Sequence, residues 1–223
     1  MAKTMARESK AKLVARASEI ARILRKRYPG ARTALNYNNA LELLVATILA
    51  AQCTDARVNM ITPGLFKKYR TAAEFARASQ EALQEEIRSA GFYRNKAKNI
   101  RGACAKIVAD FAGQVPDNME ALLSLPGVAR KTANVVLGDI FNKREGIVVD
   151  THVTRLSRRM RFTKHKSNQG DKIEKDLMSL VPMKDWTVFS HVLVFHGRET
   201  CTARKPKCAD CVVRELCPSA FEV

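Results

Sequence analysis

Apolar residues recur at helical spacing along nearly the whole chain, and no convincing run alternates as a strand would, so the pattern predicts an all-α protein. Lys10 to Tyr28 places Leu13, Ala17, Ile20 and Leu24 on one face. Pro29-Gly30 stops that helix, and a polar loop follows through Asn39. Ala40 to Ala51 is apolar enough to be a buried helix. Asp55 is a candidate cap for the next helix, which reaches Met60 and Ile61 before Pro63-Gly64. Two short helices are expected near Ala73 to Ala78 and Gln80 to Ser89. Gly91-Phe92-Tyr93 makes a turn. Asn95 to Phe111 resumes helical spacing through Ala97, Ile100, Cys104, Ile107 and Val108, and Gly113 and Pro116 end it. Two further helices follow late in the chain: Asp171 to Val181, stopped by Pro182, and Asp185 to His196, with Trp186, Phe189, Val192 and Leu193.

Between these lies the most informative stretch, Leu125 to Arg155. Met119, Leu122 and Leu123 predict a short helix, and Leu125-Pro126-Gly127-Val128-Ala129-Arg130-Lys131 then makes a tight turn. Pro126 presets one backbone angle and Gly127 tolerates positive φ. From Arg130 a second helix buries Ala133, Val136, Leu137 and Ile140. A helix, a hairpin and a helix leave the amides of the corner and of the next first turn without intrahelical partners, which makes a ready phosphate site. Lys131 sits in that first turn, where the dipole and Arg130 both disfavour its protonated form and favour a nucleophilic amine. Further on, Ile147-Val148-Val149 leads into Asp150, placed to cap a helix carrying Val153, Leu156 and Met160. An amine nucleophile and a carboxylate would each lie at a helix N-terminus. Plainer uses stay open: a lysine after a turn also serves as a phosphate contact, and an Asp before a helix serves as a cap.

Charge narrows the partners. The 223 residues, enough for one large or two small domains, hold 39 Lys and Arg against 22 Asp and Glu, a formal charge of +17. Nucleic acid is the leading polyanion for such an excess, with an anionic membrane surface as the other candidate. The longest apolar run, Leu43 to Ala51, is too short to span a bilayer, and the N-terminus lacks an apolar signal core, so the protein is expected to be soluble and intracellular.

Four of six cysteines, Cys201, Cys208, Cys211 and Cys217, follow one another as C-x6-C-x2-C-x5-C. That density marks a ligand set rather than disulfides in an intracellular protein. Four thiolates suit zinc or an iron-sulfur cluster, and ligand type alone leaves both open. Cys53 and Cys104 occupy apolar helical positions and read as core thiols. Between the first two ligands, Thr202-Ala203-Arg204-Lys205-Pro206-Lys207 forms a basic loop, suited to DNA backbone contact through Arg204 and Lys205 or else simply solvated.

The segments LPGVARKTANVVLGDIF and VVDTHVTRLSRR and the four-cysteine tail, in this order and spacing, resemble the endonuclease III family of DNA base-excision glycosylases, within the helix-hairpin-helix superfamily. The resemblance runs from about Ala31 to Pro218. It departs at Ala129, where the family usually has glycine. What it implies is an all-α fold of two helical lobes with DNA in the cleft between them: residues 33–144 as a six-helix domain with the hairpin, and residues 1–32 plus 145–223 as a discontinuous domain with a C-terminal 4Fe–4S loop. It further implies a bifunctional glycosylase and abasic-site lyase acting on oxidised pyrimidines, with Lys131 as nucleophile and Asp150 as the essential carboxylate. Cys201, Cys208, Cys211 and Cys217 would hold the cluster. Gly127, Ala129 and Arg130 would meet the DNA backbone, Gln52 would fill the vacated stack, and Phe92, where relatives often carry leucine, would wedge the opposite strand. His152 is assigned a structural or DNA-contact role, since the family mechanism does not require it. The expected partner is damaged double-stranded DNA, without a membrane, for a monomer in the cytoplasm, associated with the nucleoid if bacterial. The competing readings are an adenine-mismatch glycosylase relative, which typically lacks the lysine, and a damage-binding paralogue with weak or lost catalysis.

Overall fold

The structure is a computed structural model that describes residues 8–222. Among these residues there are α-helices and short 3-10 turns but no strands. The helices are α1 (Lys10–Arg27), α2 (Ala40–Leu49), α3 (Asp55–Lys68), α4 (Ala72–Arg77), α5 (Gln80–Glu86), α6 (Tyr93–Asp110), α7 (Met119–Leu123), α8 (Arg130–Asp139), α9 (Thr151–Arg159), α10 (Gly170–Met178) and α11 (Trp186–Glu199). The described chain divides into two compact units. One is Thr33–Glu145, and the other falls within Met1–Arg32 and Gly146–Val223.

The first unit is built around α2, of which all but Ala40, Leu41, Glu42 and Thr47 are buried. A helix apolar on every side must be surrounded, and α3, α6 and α8 all pack against it. Phe75, Leu83, Ile87, Ile100, Ile107 and Leu122 complete this core from α4 to α7. Two expectations are corrected here. Asp55 is the first residue of α3 and not its cap; Thr54 caps it, accepting the Arg57 N–H. The helix also runs through Pro63 instead of stopping before it. An interior proline costs about 3 kcal/mol. Burial of Leu65, at roughly 1.5–3 kcal/mol for a leucine, offsets most of that, and the Tyr69 ring is buried one turn later.

In the second unit α11 is the central helix, packed by α1 and α9, with α10 against α9. Ala17, Ile20 and Leu24 of α1 share a core with Val153, Leu156, Phe189, Val192 and Leu193. Helix α1 therefore belongs with the C-terminal third of the chain, a partnership that local periodicity has no means of showing.

Candidate active site and metal centre

The hairpin is a type II turn. Its Val128 N–H donates to the Leu125 carbonyl at 3.1 Å, and Gly127 has φ +77°. Two needs meet at Gly127, because a Cβ there would also lie 2.7 Å from Asn99 Cβ of α6. One turn along the same helix, Gly102 leaves just enough room for Pro126; a Cβ on it would come within 3.2 Å of the ring. The turn is thus seated on α6 at two closely packed points.

Helix α8 starts directly from this turn. Its N-cap is Ala129, in an extended conformation (φ −93°, ψ 169°), and no side-chain oxygen caps its first amides. The Arg130 guanidinium donates to the Glu145 carbonyl at 3.0 Å, and Lys131 is exposed in the first turn. Uncapped amides, the positive end of the dipole and two basic side chains make an anion site from which a lysine amine can reach outward.

Gln52 and Phe92 are both exposed, and both have left-handed backbones, with φ +53° and +47°. For residues that are not glycine this conformation is uncommon and has to be held by the surroundings. Phe92 stands at the N-cap position of α6 and is 64% exposed, so an apolar residue is displayed on a constrained corner.

In the other unit Asp150 is the N-cap of α9, as its position before the apolar periodicity predicts. Its Oδ1 accepts the Val153 N–H at 2.7 Å. His152 Nδ1 lies 3.2 Å from Arg155 Nη2, which makes Nδ1 the acceptor, and the ring packs where a Cβ on Gly197 would stand. Burial lowers the His152 pKa against the opposing pull of Asp150, which favours the neutral ring. This histidine is a packed side chain.

The cysteine tail and α9 are tied together. Arg155 donates to the Gly197 and Cys201 carbonyls at 2.8 and 3.0 Å, and Arg159 reaches Cys201 Sγ at 3.2 Å and the Thr202 and Ala203 carbonyls at 2.7 and 2.8 Å. Sequence reasoning misses these two arginines; they sit within VVDTHVTRLSRR, but their partners lie more than forty residues away. None of the four tail cysteines is in a disulfide, and all four line one cavity with Arg159 and His196. Burial pushes the Cys211 and Cys217 thiols up, so thiolates there call for a metal or for donors. Donors are present. Burial holds His196 down to about 4, hence neutral; Tyr28 Oη lies 3.2 Å from its Nδ1 and Cys211 Sγ 3.5 Å from its Nε2. A ring that accepts the Tyr28 O–H at Nδ1 carries its own proton on Nε2, facing the sulfur. Four thiols spread around a cavity, with N–H groups aimed at two sulfurs, suit an iron-sulfur cluster. Arg204 and Lys205 are exposed on the loop between the first two cysteines, held by the Arg159 bonds and by Thr202 Oγ1 donating to the Lys205 carbonyl at 2.7 Å.

Comparison with known proteins agrees with this geometry. Residues 45–183 match the family described as HhH-GPD superfamily base excision DNA repair protein, and residues 201–217 match the iron-sulfur binding domain of endonuclease III. Endonuclease III of Synechocystis sp. is 55% identical over 205 residues, covering 92% of this chain and 93% of its own length. That of Bacillus subtilis is 45% identical over 190 residues, covering 85% and 86%. Among solved structures, a trapped covalent intermediate of endonuclease III with DNA superposes with a TM-score of 0.86 at 39% identity, over 97% of this chain and 99% of that one.

Proposed function

The chain belongs to the endonuclease III family of the helix-hairpin-helix superfamily, and on that premise we propose which of its residues perform the family's chemistry. The protein is a bifunctional DNA glycosylase and abasic-site lyase of base excision repair, and it carries a 4Fe–4S cluster. Lys131 is the nucleophile. Its Nζ attacks C1′ of the damaged nucleoside, the bond from C1′ to the base breaks with its electrons leaving on the base, and the opened sugar forms a Schiff base with the lysine. Loss of a proton from C2′ then expels the 3′ oxygen and cuts the strand. The carboxylate of Asp150 stabilises the positive charge that develops on the sugar and assists the proton transfers. The observation that carries this reading is the exposed Lys131 in the first turn of α8, behind a hairpin and an N-cap with no side-chain acceptor. A similar protein trapped covalently with DNA supports it.

The other assignments follow from what each group can offer DNA. Gly127, Ala129 and Arg130 meet a phosphate at the hairpin, and Arg204 and Lys205 meet the backbone from the loop. Gln52 and Phe92 enter the stack, which a base-extruding enzyme must fill and wedge. Cys201, Cys208, Cys211 and Cys217 hold the cluster, which when bound fixes both ends of the Arg204–Lys205 loop and so lowers the ordering cost of presenting those charges. The unit containing the hairpin corresponds to a DNA-reading domain and the unit containing the cysteines to a cluster domain. Oxidised pyrimidines in double-stranded DNA are the proposed substrate, for a monomer in the cytoplasm. No described helix is long and apolar enough to cross a membrane. The lysine favours this reading over an adenine-mismatch relative. Borohydride trapping on duplexes with an abasic site or an oxidised pyrimidine tests it: a covalent adduct on both is expected, while tight binding without an adduct on either would make the protein a non-catalytic damage binder.

A further inference from the structure

Lys96 is the one lysine among the buried polar residues described, 4% exposed in the first turns of α6. Burial lowers its pKa, and its acceptors are two main-chain carbonyls, Leu49 at 2.8 Å and Ala90 at 2.9 Å. A charged amine in a core is costly, and a leucine or methionine there would pack without that cost. The bonds account for the choice. Leu49 is the last residue of α2, three before Gln52, and Ala90 stands two before Phe92. The Lys96 backbone N–H also donates to the Phe92 carbonyl at 3.1 Å. One residue therefore grips both exposed, left-handed corners, each of which needs its surroundings to hold it in that conformation. The two residues whose carbonyls its side-chain amine holds, Leu49 and Ala90, are themselves buried, at 0% and 2%.

We propose that Lys96 is a positioning residue that locks the Gln52 and Phe92 loops at one spacing, so that the filling and the wedging side chains enter the DNA stack together. This rests on the reading that Gln52 and Phe92 insert. The loops then cost little ordering when DNA binds, and extrusion of a paired base, which needs both, depends on the clamp. Cleavage at a preformed abasic site, where no base is left to unpair, depends on it much less.

The test is Lys96→Met, which keeps the volume and removes the donors, in the full-length protein with its cluster. Single-turnover release of an oxidised pyrimidine paired with adenine is compared with cleavage of an abasic site. A 2-aminopurine next to the lesion reports unstacking. Base release is expected to fall by roughly ten- to a hundredfold, the scale of a misplaced positioning group, with abasic cleavage within about threefold of wild type and the fluorescence rise lost. A merely structural lysine would lower both rates by one factor, and either that result or unchanged base release would overturn the proposal. Gln52→Ala and Phe92→Ala are run alongside. If both release the base and brighten 2-aminopurine as wild type does, the insertion reading falls and the clamp with it; if both are impaired while Lys96→Met is not, only the clamp falls. Should Lys96→Met not fold, Lys96→Gln keeps a donor too short to span both carbonyls. A selective partial loss of base release would support the clamp, and equal loss of both activities would overturn it.

Discussion

Helix α9 begins with Asp150, whose carboxylate takes up the Val153 N–H, whereas α8 begins with Ala129, which has no side-chain acceptor to give. Both starts carry residues assigned to the chemistry, and they treat the same electrostatics oppositely. At α9 the positive end of the dipole is answered from within, by a carboxylate that the cap also orients. At α8 the first-turn amides are left for an anion from outside, and the Arg130 guanidinium adds charge beside them. A capped start suits a group that must hold one position through a reaction. An uncapped one suits binding.

Changes at the two starts should therefore differ in kind. Lys131→Gln, at the uncapped start, should abolish the borohydride adduct and strand cleavage while sparing helical content and most DNA affinity, and an undiminished adduct would remove Lys131 as nucleophile. Asp150→Asn separates cap from charge, because asparagine caps about as well as aspartate. Thermal stability should stay nearly unchanged while single-turnover cleavage slows by roughly a hundredfold or more, as when an electrostatic stabiliser is removed. Full activity in that variant would leave Asp150 as a cap alone.

Giving α8 the cap it lacks sharpens the contrast. Ala129→Asp should stabilise the protein by about 1 kcal/mol in thermal unfolding. It should also weaken binding to abasic DNA by roughly tenfold, about 1.4 kcal/mol, because the new carboxylate occupies the phosphate's place. Equal affinity would mean that no phosphate sits there. Arg204→Ala with Lys205→Ala, away from either start, should weaken damaged and undamaged DNA alike. The slope of log affinity against log salt should flatten by up to about 2, near 0.9 for each phosphate that is no longer neutralised. The smallest effect belongs to Ala129→Gly. With φ at −93° alanine fits the backbone without strain. Glycine should cost about 0.4–1 kcal/mol of stability through the unfolded chain. A gain in abasic-DNA affinity with it would show that the methyl group crowds the phosphate.

Much of this architecture is legible in the chain because its causes are local. Helical periodicity marks every long helix, Pro126-Gly127 marks the turn, Asp150 before Val153 marks a cap, and the cysteine spacing marks a ligand set. The errors have tertiary causes. Helix α3 continues past Pro63 because Leu65 and Tyr69 are buried beyond it, and Thr54 rather than Asp55 has the geometry to cap it. Arg155 and Arg159 read as surface charge until Cys201 to Ala203 come to meet them. Lys96 reads as one more basic residue, since the Leu49 carbonyl that fixes it lies 47 positions away. Gly102 looks like a poor helix residue until Pro126 is set against it.

The proposed reaction turns on one bond, between the Lys131 amine and the sugar. Wild-type protein is incubated with a duplex carrying an oxidised pyrimidine, reduced with borohydride and digested, and the peptide bearing the nucleotide is sequenced by mass spectrometry. The adduct is predicted on Lys131 alone. An adduct on another amine, or release of the base without any adduct, would contradict it.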